Sequence, residues 1–235
     1  MGIQKQNSES TGKRAPKAKE KQDEAIIGTN DYSIVSKRSV EKSYYKNEPQ
    51  FLRAFVHKYK RRAPLINRGY WLRMRAIEAV VKRFLNEDTG KRKAIVNLGC
   101  GYEPLAFRML WKYPTQCQGV KFVDVDFPQL MEKKVRMLKK DPLLHERLNV
   151  PEEEVPRHDA FLYSSEQYWA VGCDLGNREL LSTTLKNHTD LEQRSILFIS
   201  EVAIVYMPPE EATNVISLCA TFSDGECDMR HSYTC

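Results

Sequence analysis

Gly99-Cys100-Gly101 closes a short apolar run, Ala94-Ile95-Val96-Asn97-Leu98. Glycines at such a place let a ligand approach the backbone closely, because no Cβ stands in the way. Three acids end later apolar runs in the same manner. They are Asp126 after Val120–Val125, Asp174 (with Leu175) after Tyr168–Cys173, and Glu201 after Ser195–Ser200. An acid at the second strand end can accept both ribose hydroxyls of an adenosine. Asp174-Leu175 can meet an adenine edge and cover its face. Glu201 can meet a cationic amino or sulfonium group. A dinucleotide is the main competitor for this geometry, but the pattern Gly-x-Gly lacks the third glycine of GxGxxG. Any one of these acids alone could be a helix N-cap; three of them with the glycine turn favour a ligand.

The elements that must position these residues read as an alternation. Asp31–Lys46 and Glu48–Tyr59 read as helices, and Arg62–Gly69 as a linker punctuated by Pro64 and Gly69. Tyr70–Leu85 is strongly amphipathic, with Tyr70, Met74, Ile77, Val81 and Phe84 at helical spacing. Strands are predicted at Ala94–Leu98, Val120–Asp126, Tyr168–Leu175 and Ser195–Glu201. Helices are predicted at Leu105–Trp111, Phe127–Lys140, Glu179–Asn187 and Pro208–Cys219, and Asp141–Pro156 as a loop or short helical insert. This order implies an α/β fold, a parallel sheet with helices on both faces. Ligands of such sheets bind beyond the carboxyl ends of the strands, where the glycine turn and the acids converge.

Bulk composition narrows the classes. With 235 residues, 41% hydrophobic and 29% charged, a sizeable core is available. No apolar run approaches the roughly 20 residues that span a bilayer, and the start has no secretory apolar region. The expectation is a cytoplasmic protein with no membrane partner. Six cysteines show no zinc-type spacing, so no metal is expected and they read as free thiols, with Cys100 and Cys173 in packing roles. The net charge of +6 is concentrated in two places: the first two dozen residues and Lys58-Tyr59-Lys60-Arg61-Arg62. Each alone reads as a solvated face; together they favour a polyanionic partner. Residues 1–25 are polar and lysine-rich and read as a disordered basic tail. Residues 26–93 read as a helical cap, 94–222 as the ligand-binding core and 223–235 as a separate tail.

Several segments in order resemble the leucine carboxyl methyltransferase family: Ile66-Asn67-Arg68-Gly69-Tyr70, Val96-Asn97-Leu98-Gly99-Cys100-Gly101, Val125-Asp126, Cys173-Asp174-Leu175, Glu201 and Tyr206-Met207. The likeness runs from about Gly28 to about Phe222. It implies a Rossmann-like class I methyltransferase fold and S-adenosyl-L-methionine as methyl donor. Two branches of the family compete. One methylates the C-terminal leucine of the protein phosphatase 2A catalytic subunit. The other, the wybutosine-synthesizing branch, methylates a carboxyl group on a modified guanosine beside the anticodon of tRNA-Phe. Gly28-Thr29-Asn30 with Ser33–Glu41, Asn67–Arg73, and Gly99–Leu105 resemble the tRNA branch.

The resemblance implies roles for single residues. Arg73 would bind a carboxylate, of the donor or of the acceptor. Lys37 or Arg38 would close over the site. Gly99 would face the methionine part, Asp126 the ribose, and Asp174 and Leu175 the adenine, with Gly101 also among the cofactor-binding residues. Glu201 would sit near the donor's amino group, and Tyr206 would wall the acceptor carboxyl. Away from the family pattern, Ser223–Cys235 has no strand pattern. The resemblance then implies a C-terminally truncated sheet with an exposed edge strand, and a catalytically dead binding fragment as the reading from another class.

Overall fold

The computed structural model of the chain describes residues 16–147, 159–187, 189–222 and 232–234. In chain order these form α1 (Pro16–Tyr44), a 3-10 turn (Phe51–Ala54), α2 (Pro64–Asn86), β1 (Lys93–Leu98), α3 (Leu105–Lys112), β2 (Lys121–Asp126), α4 (Pro128–Lys140) and α5 (Pro142–Arg147). β3 (Phe161–Ser164), β4 (Tyr168–Gly172), α6 (Arg178–Asn187), β5 (Ser195–Ser200), α7 (Pro209–Ala220) and β6 (Ser232–Thr234) follow. The sheet order is β3-β4-β2-β1-β5-β6. All pairs are parallel except β3 with β4. From β1 the chain continues to β2 on one side and later to β5 on the other, which is the strand-order reversal that opens a ligand crevice.

The strands bury both faces. In β1, Ile95 belongs to the core under α1, α2 and α4, whereas Ala94, Val96 and Leu98 belong to the core under α6 and α7. The same period of two puts Phe122 in the first core and Val123 and Val125 in the second. Asp124, between them, points toward α4. There Lys134 Nζ and the Tyr168 hydroxyl both donate to its Oδ2, at 2.7 and 2.8 Å. This buried trio ties α4 to the end of β2, next to Asp126.

The predicted strands and helices of residues 94–140 and 178–220 are found within one or two residues. Elsewhere the fold departs from the expectations. α1 begins at Pro16, earlier than the expected onset of order near Ile26; Lys5, Lys13 and Arg14 lie outside the described residues. The expected linker Arg62–Gly69 is mostly the first turns of α2. Pro64 starts that helix at no cost, since a first-turn N–H has no intrahelical partner. Gly69 inside it disfavours helix by about 0.5–1 kcal/mol. Burial of Met74, Ile77, Val81 and Phe84, worth about 1.5–3 kcal/mol each, exceeds that easily.

The expected helix Glu48–Tyr59 is only the 3-10 turn, because α1 side chains capture its start. Leu52 N–H donates to Glu41 Oε1 at 2.9 Å, and Arg38 Nη1 donates to Gln50. β3 is an antiparallel strand that went unpredicted, and β6 covers the outer edge of β5 where an exposed edge was expected. The described cysteines are free, with Cys100, Cys117 and Cys173 buried.

Glu41 carries a pH dependence. Burial pushes its carboxyl up to about 7, outweighing the Leu52 and Arg38 bonds. A carboxyl with a raised folded pKa holds its proton better in the folded state, so its contribution is full below about 4.5 and is lost as pH rises through about 7. Urea denaturation should therefore show a fall in stability across that window that is shallower in Glu41→Gln. Parallel pH profiles of the two proteins would contradict the assignment.

Candidate functional site

A cavity of about 770 Å³ opens at the carboxyl ends of β1, β2, β4 and β5. Pockets of about 300–1,000 Å³ are usual for small-molecule sites. Its floor is the turn after β1. Gly99 and Gly101 have φ of +66° and +52°. A Cβ on Gly99 would lie 2.1 Å from Ala203 Cβ, and one on Gly101 would lie 2.3 Å from Asn30 Oδ1. Both glycines line the cavity, as expected of a ligand-facing turn, and both also admit protein atoms, Ala203 and Asn30, that shape its wall.

Asp126 ends β2. Its Oδ2 accepts from Gly101 N–H and its Oδ1 from Phe127 N–H, both at 2.7 Å. Burial pushes its pKa up, outweighing these amide bonds. A carboxylate has about four acceptor positions, so further donors can be accommodated from the cavity. Asp174 Oδ1 accepts from Gly176 N–H at 2.9 Å, and Leu175 lies beside it on the cavity wall. Neither acid caps a helix: the N-cap of α4 is Phe127, and at the start of α6 it is Asn177 Oδ1 that accepts from Leu180 N–H.

Glu201, just past β5, is held from two helices. Lys37 Nζ on α1 donates to Glu201 Oε2 and to Glu103 Oε2, each at 2.6 Å. Arg73 Nη1 on α2 stands 3.5 Å from Glu201 Oε1. Burial opposes the charge on Lys37, but Glu103 and Glu201 together outweigh it and raise its pKa. Glu103 is held below the usual carboxylate range, because Lys37 and Arg108 outweigh its burial. Val202, the next residue, has φ +63°. A β-branched residue in that region stores about 1–3 kcal/mol of strain. The turn carries Ala203 onto Gly99.

Arg73 also stacks its guanidinium 5.0 Å from the Tyr70 ring centroid, and both line the cavity. Tyr206 stands on the rim, 44% exposed. Arg38 is a correction. It does not line the cavity; its Nη1 donates to Glu41 Oε2 at 2.7 Å. Adjacent helix positions point about 100° apart, so Lys37 and Arg38 could not both face the site.

The family model for leucine carboxyl methyltransferase matches residues 9–220, nearly all of the chain. The chain belongs to the leucine carboxyl methyltransferase family. Among curated relatives of this family member, tRNA wybutosine-synthesizing protein 4 of Gibberella zeae is 43% identical over 209 residues, covering 87% of this chain and 20% of that protein. The protein of the same name from Schizosaccharomyces pombe is 40% identical over 218 residues, 91% of this chain and 32% of its own length. That of Candida albicans is 37% identical over 206 residues, 83% of this chain and 30% of its length. The chain thus spans a third or less of these relatives.

Sequence reasoning missed two cavity residues of this leucine carboxyl methyltransferase family chain. Asn30 Oδ1 accepts from Tyr102 N–H at 3.1 Å, holding α1 over the glycine turn. Glu103 is the buried counter-charge of Lys37 and Arg108. Its signal was its place directly after the glycine turn, in Gly101-Tyr102-Glu103-Pro104. Among the described residues no group of three or more His, Cys, Asp or Glu side chains could hold a metal, and no helix is long and apolar enough to cross a membrane.

Proposed function

We propose that this chain transfers a methyl group from S-adenosyl-L-methionine to a carboxylate, and that the acceptor is a wybutosine precursor on tRNA-Phe. The observation that carries the reading is the meeting of Lys37, Arg73 and Glu201 beside Asp126 and Asp174 in one cavity. Two buried atoms support the fit. Glu201 Oε1 and Asn30 Nδ2 have no hydrogen-bond partner among the described residues. A buried acceptor and a buried donor left open are costly, and they complement the ammonium and carboxylate of a methionine moiety. Asp126 would hold the ribose, and Asp174 and Leu175 the adenine. When bound, the donor supplies an electrophilic methyl group on a sulfonium.

The chain's own residues have little proton chemistry to perform. A carboxylic acid with pKa near 4 is already ionised at neutral pH, so no base is required. Arg73, about a third exposed and anchored by Tyr70, orients the acceptor carboxylate without neutralising it fully. Tyr206 closes that side. Positioning of this kind supplies up to about 7–11 kcal/mol in well-oriented reactions. The tRNA assignment is supported by the names of the relatives and by the basic segment at residues 58–62.

The test supplies labelled S-adenosyl-L-methionine with either tRNA-Phe from a strain lacking this activity or a leucine-terminated phosphatase 2A tail peptide. Base-labile label in the tRNA is expected. Label in the peptide alone would overturn the acceptor assignment, and failure to bind S-adenosylhomocysteine in a calorimeter would overturn the donor site.

A further inference from the structure

The mouth of the cavity is lopsided in charge and in shape. Residues 49–77 contain no aspartate or glutamate, yet they hold Lys58, Lys60, Arg61, Arg62 and Arg68. Lys58, Lys60, Arg61 and Arg68 are exposed, and none of the four forms an ion pair with another described residue. Like charges so close together repel one another, and no carboxylate among the described residues relieves them. Across the cavity, the first turn of α7 presents Glu210 and Glu211 instead.

Arg62 joins the basic strip to the rim. Its N–H donates to Ser39 Oγ at 2.9 Å, which fixes the segment against α1. Its guanidinium lies 4.4 Å from the centroid of the Tyr32 ring, and its Nε has no hydrogen-bond partner among the described residues. Tyr32 is 54% exposed and lines the cavity. Arg73 on Tyr70 makes a second arginine–tyrosine stack at the same mouth, and exposed Tyr206 a third flat surface.

We infer that residues 58–62 dock the phosphate backbone of a single-stranded RNA loop, with Tyr32 and Tyr206 at the rim stacking its unpaired bases. The inference rests on the tRNA reading above and adds where and in what form the RNA binds. A base stacked in a duplex must be flipped out to enter a cavity, at a cost of a few kcal/mol that an unpaired loop avoids, so the loop is the segment that enters most readily. Unpaired loops are recognised through a basic track for the backbone and aromatic faces for the bases. The acidic first turn of α7 repels phosphates and sends the backbone along the residue 58–62 side.

The test is fluorescence anisotropy with a labelled anticodon stem-loop of tRNA-Phe, titrated at several salt concentrations. The proteins are the parent chain and Lys58→Ala/Lys60→Ala/Arg61→Ala. None of the three residues lines the cavity, so calorimetry with S-adenosylhomocysteine should give the same affinity for both and confirm that the variant is folded. The variant should bind the loop at least about tenfold more weakly. Its slope of log affinity against log salt should fall by about 2, at about 0.7 per single-strand phosphate contact. A fully paired hairpin stem should bind the parent more weakly than the stem-loop.

An unchanged slope in a variant that still binds S-adenosylhomocysteine would overturn the dock while leaving tRNA as acceptor. Methylation of the phosphatase peptide and not of tRNA would remove both. Phosphatidylserine vesicles binding the parent as tightly as the RNA, with the same loss in the variant, would point to a membrane surface and also overturn the dock.

Discussion

Replacing Lys37 with methionine is expected to destabilise the chain by about 3–5 kcal/mol, the usual result of removing one partner from a buried charge cluster. Lys37 sits between Glu103 and Glu201, both of them nearly inaccessible to solvent. Without the ammonium, the ion pairs left among the described residues are Arg108 with Glu103 and Arg73, at 3.5 Å, with Glu201. The pH dependence follows from the sign. In the parent, Glu103 titrates below its ordinary value; such a carboxyl contributes stability above its unfolded pKa and loses it as pH falls through the folded one. In the variant, burial acts on Glu103 with one cation fewer against it. The deficit should therefore be largest at neutral pH and shrink toward pH 4, as the Glu103 carboxyl of the variant takes up its proton. Urea midpoints at the two pH values read this directly. Lys37→Met/Glu103→Gln should recover part of the loss, with a coupling of about 0.5–3 kcal/mol. A single variant as stable as the parent, or a double variant no better than the single, would remove the cluster from the account of the fold.

Gly99→Ala should be nearly as damaging. The residue occupies a left-handed conformation, which costs an alanine about 1–2 kcal/mol. Its new Cβ would lie 2.1 Å from Ala203 Cβ, neither of them the end of a flexible chain. Relief requires the Val202-Ala203 turn to move, and that turn is already strained. Overpacking of this kind adds about 1–3 kcal/mol. Glu201 would move with the turn, so S-adenosylhomocysteine affinity should fall with stability. Gly99→Ala/Ala203→Gly removes the clash but not the dihedral penalty. It should recover the larger share of both losses in thermal melts and calorimetry. If the double variant behaves like the single one, the close approach of Ala203 is not what requires the glycine.

The parts of the site legible in the sequence are those that depend on local order. Gly99, Gly101, Asp126, Asp174, Leu175 and Glu201 all follow apolar strands, and a parallel sheet brings every strand end to one edge. Periodicity placed Arg73 only on the polar side of α2; its role came from the family resemblance of Asn67–Arg73, and the packing of α2 is what brings it to Glu201. The choice between Lys37 and Arg38 was not legible, since both are cations on one helix and only the packing of α1 against the β1 turn decides which faces the cavity. The helix expected at Glu48–Tyr59 failed for a similar reason. Phe51, Leu52, Phe55 and Val56 are buried as their spacing suggested. The conformation was set from outside, by Glu41 and Arg38 reaching across from α1.

The glycine turn and the three strand-end acids are therefore properties of the sequence itself. They follow from periodicity, from the absence of a Cβ and from the direction of parallel strands, all of which act over a few residues. The charge balance of the cavity is a property of the tertiary structure. Glu201 meets Lys37, which is 164 residues away along the chain, and Lys37 meets Glu103 across 66. No local rule relates such positions. The cost of burying each charge alone forces them together, and only the packing of α1 and α2 over the sheet determines which charges those are.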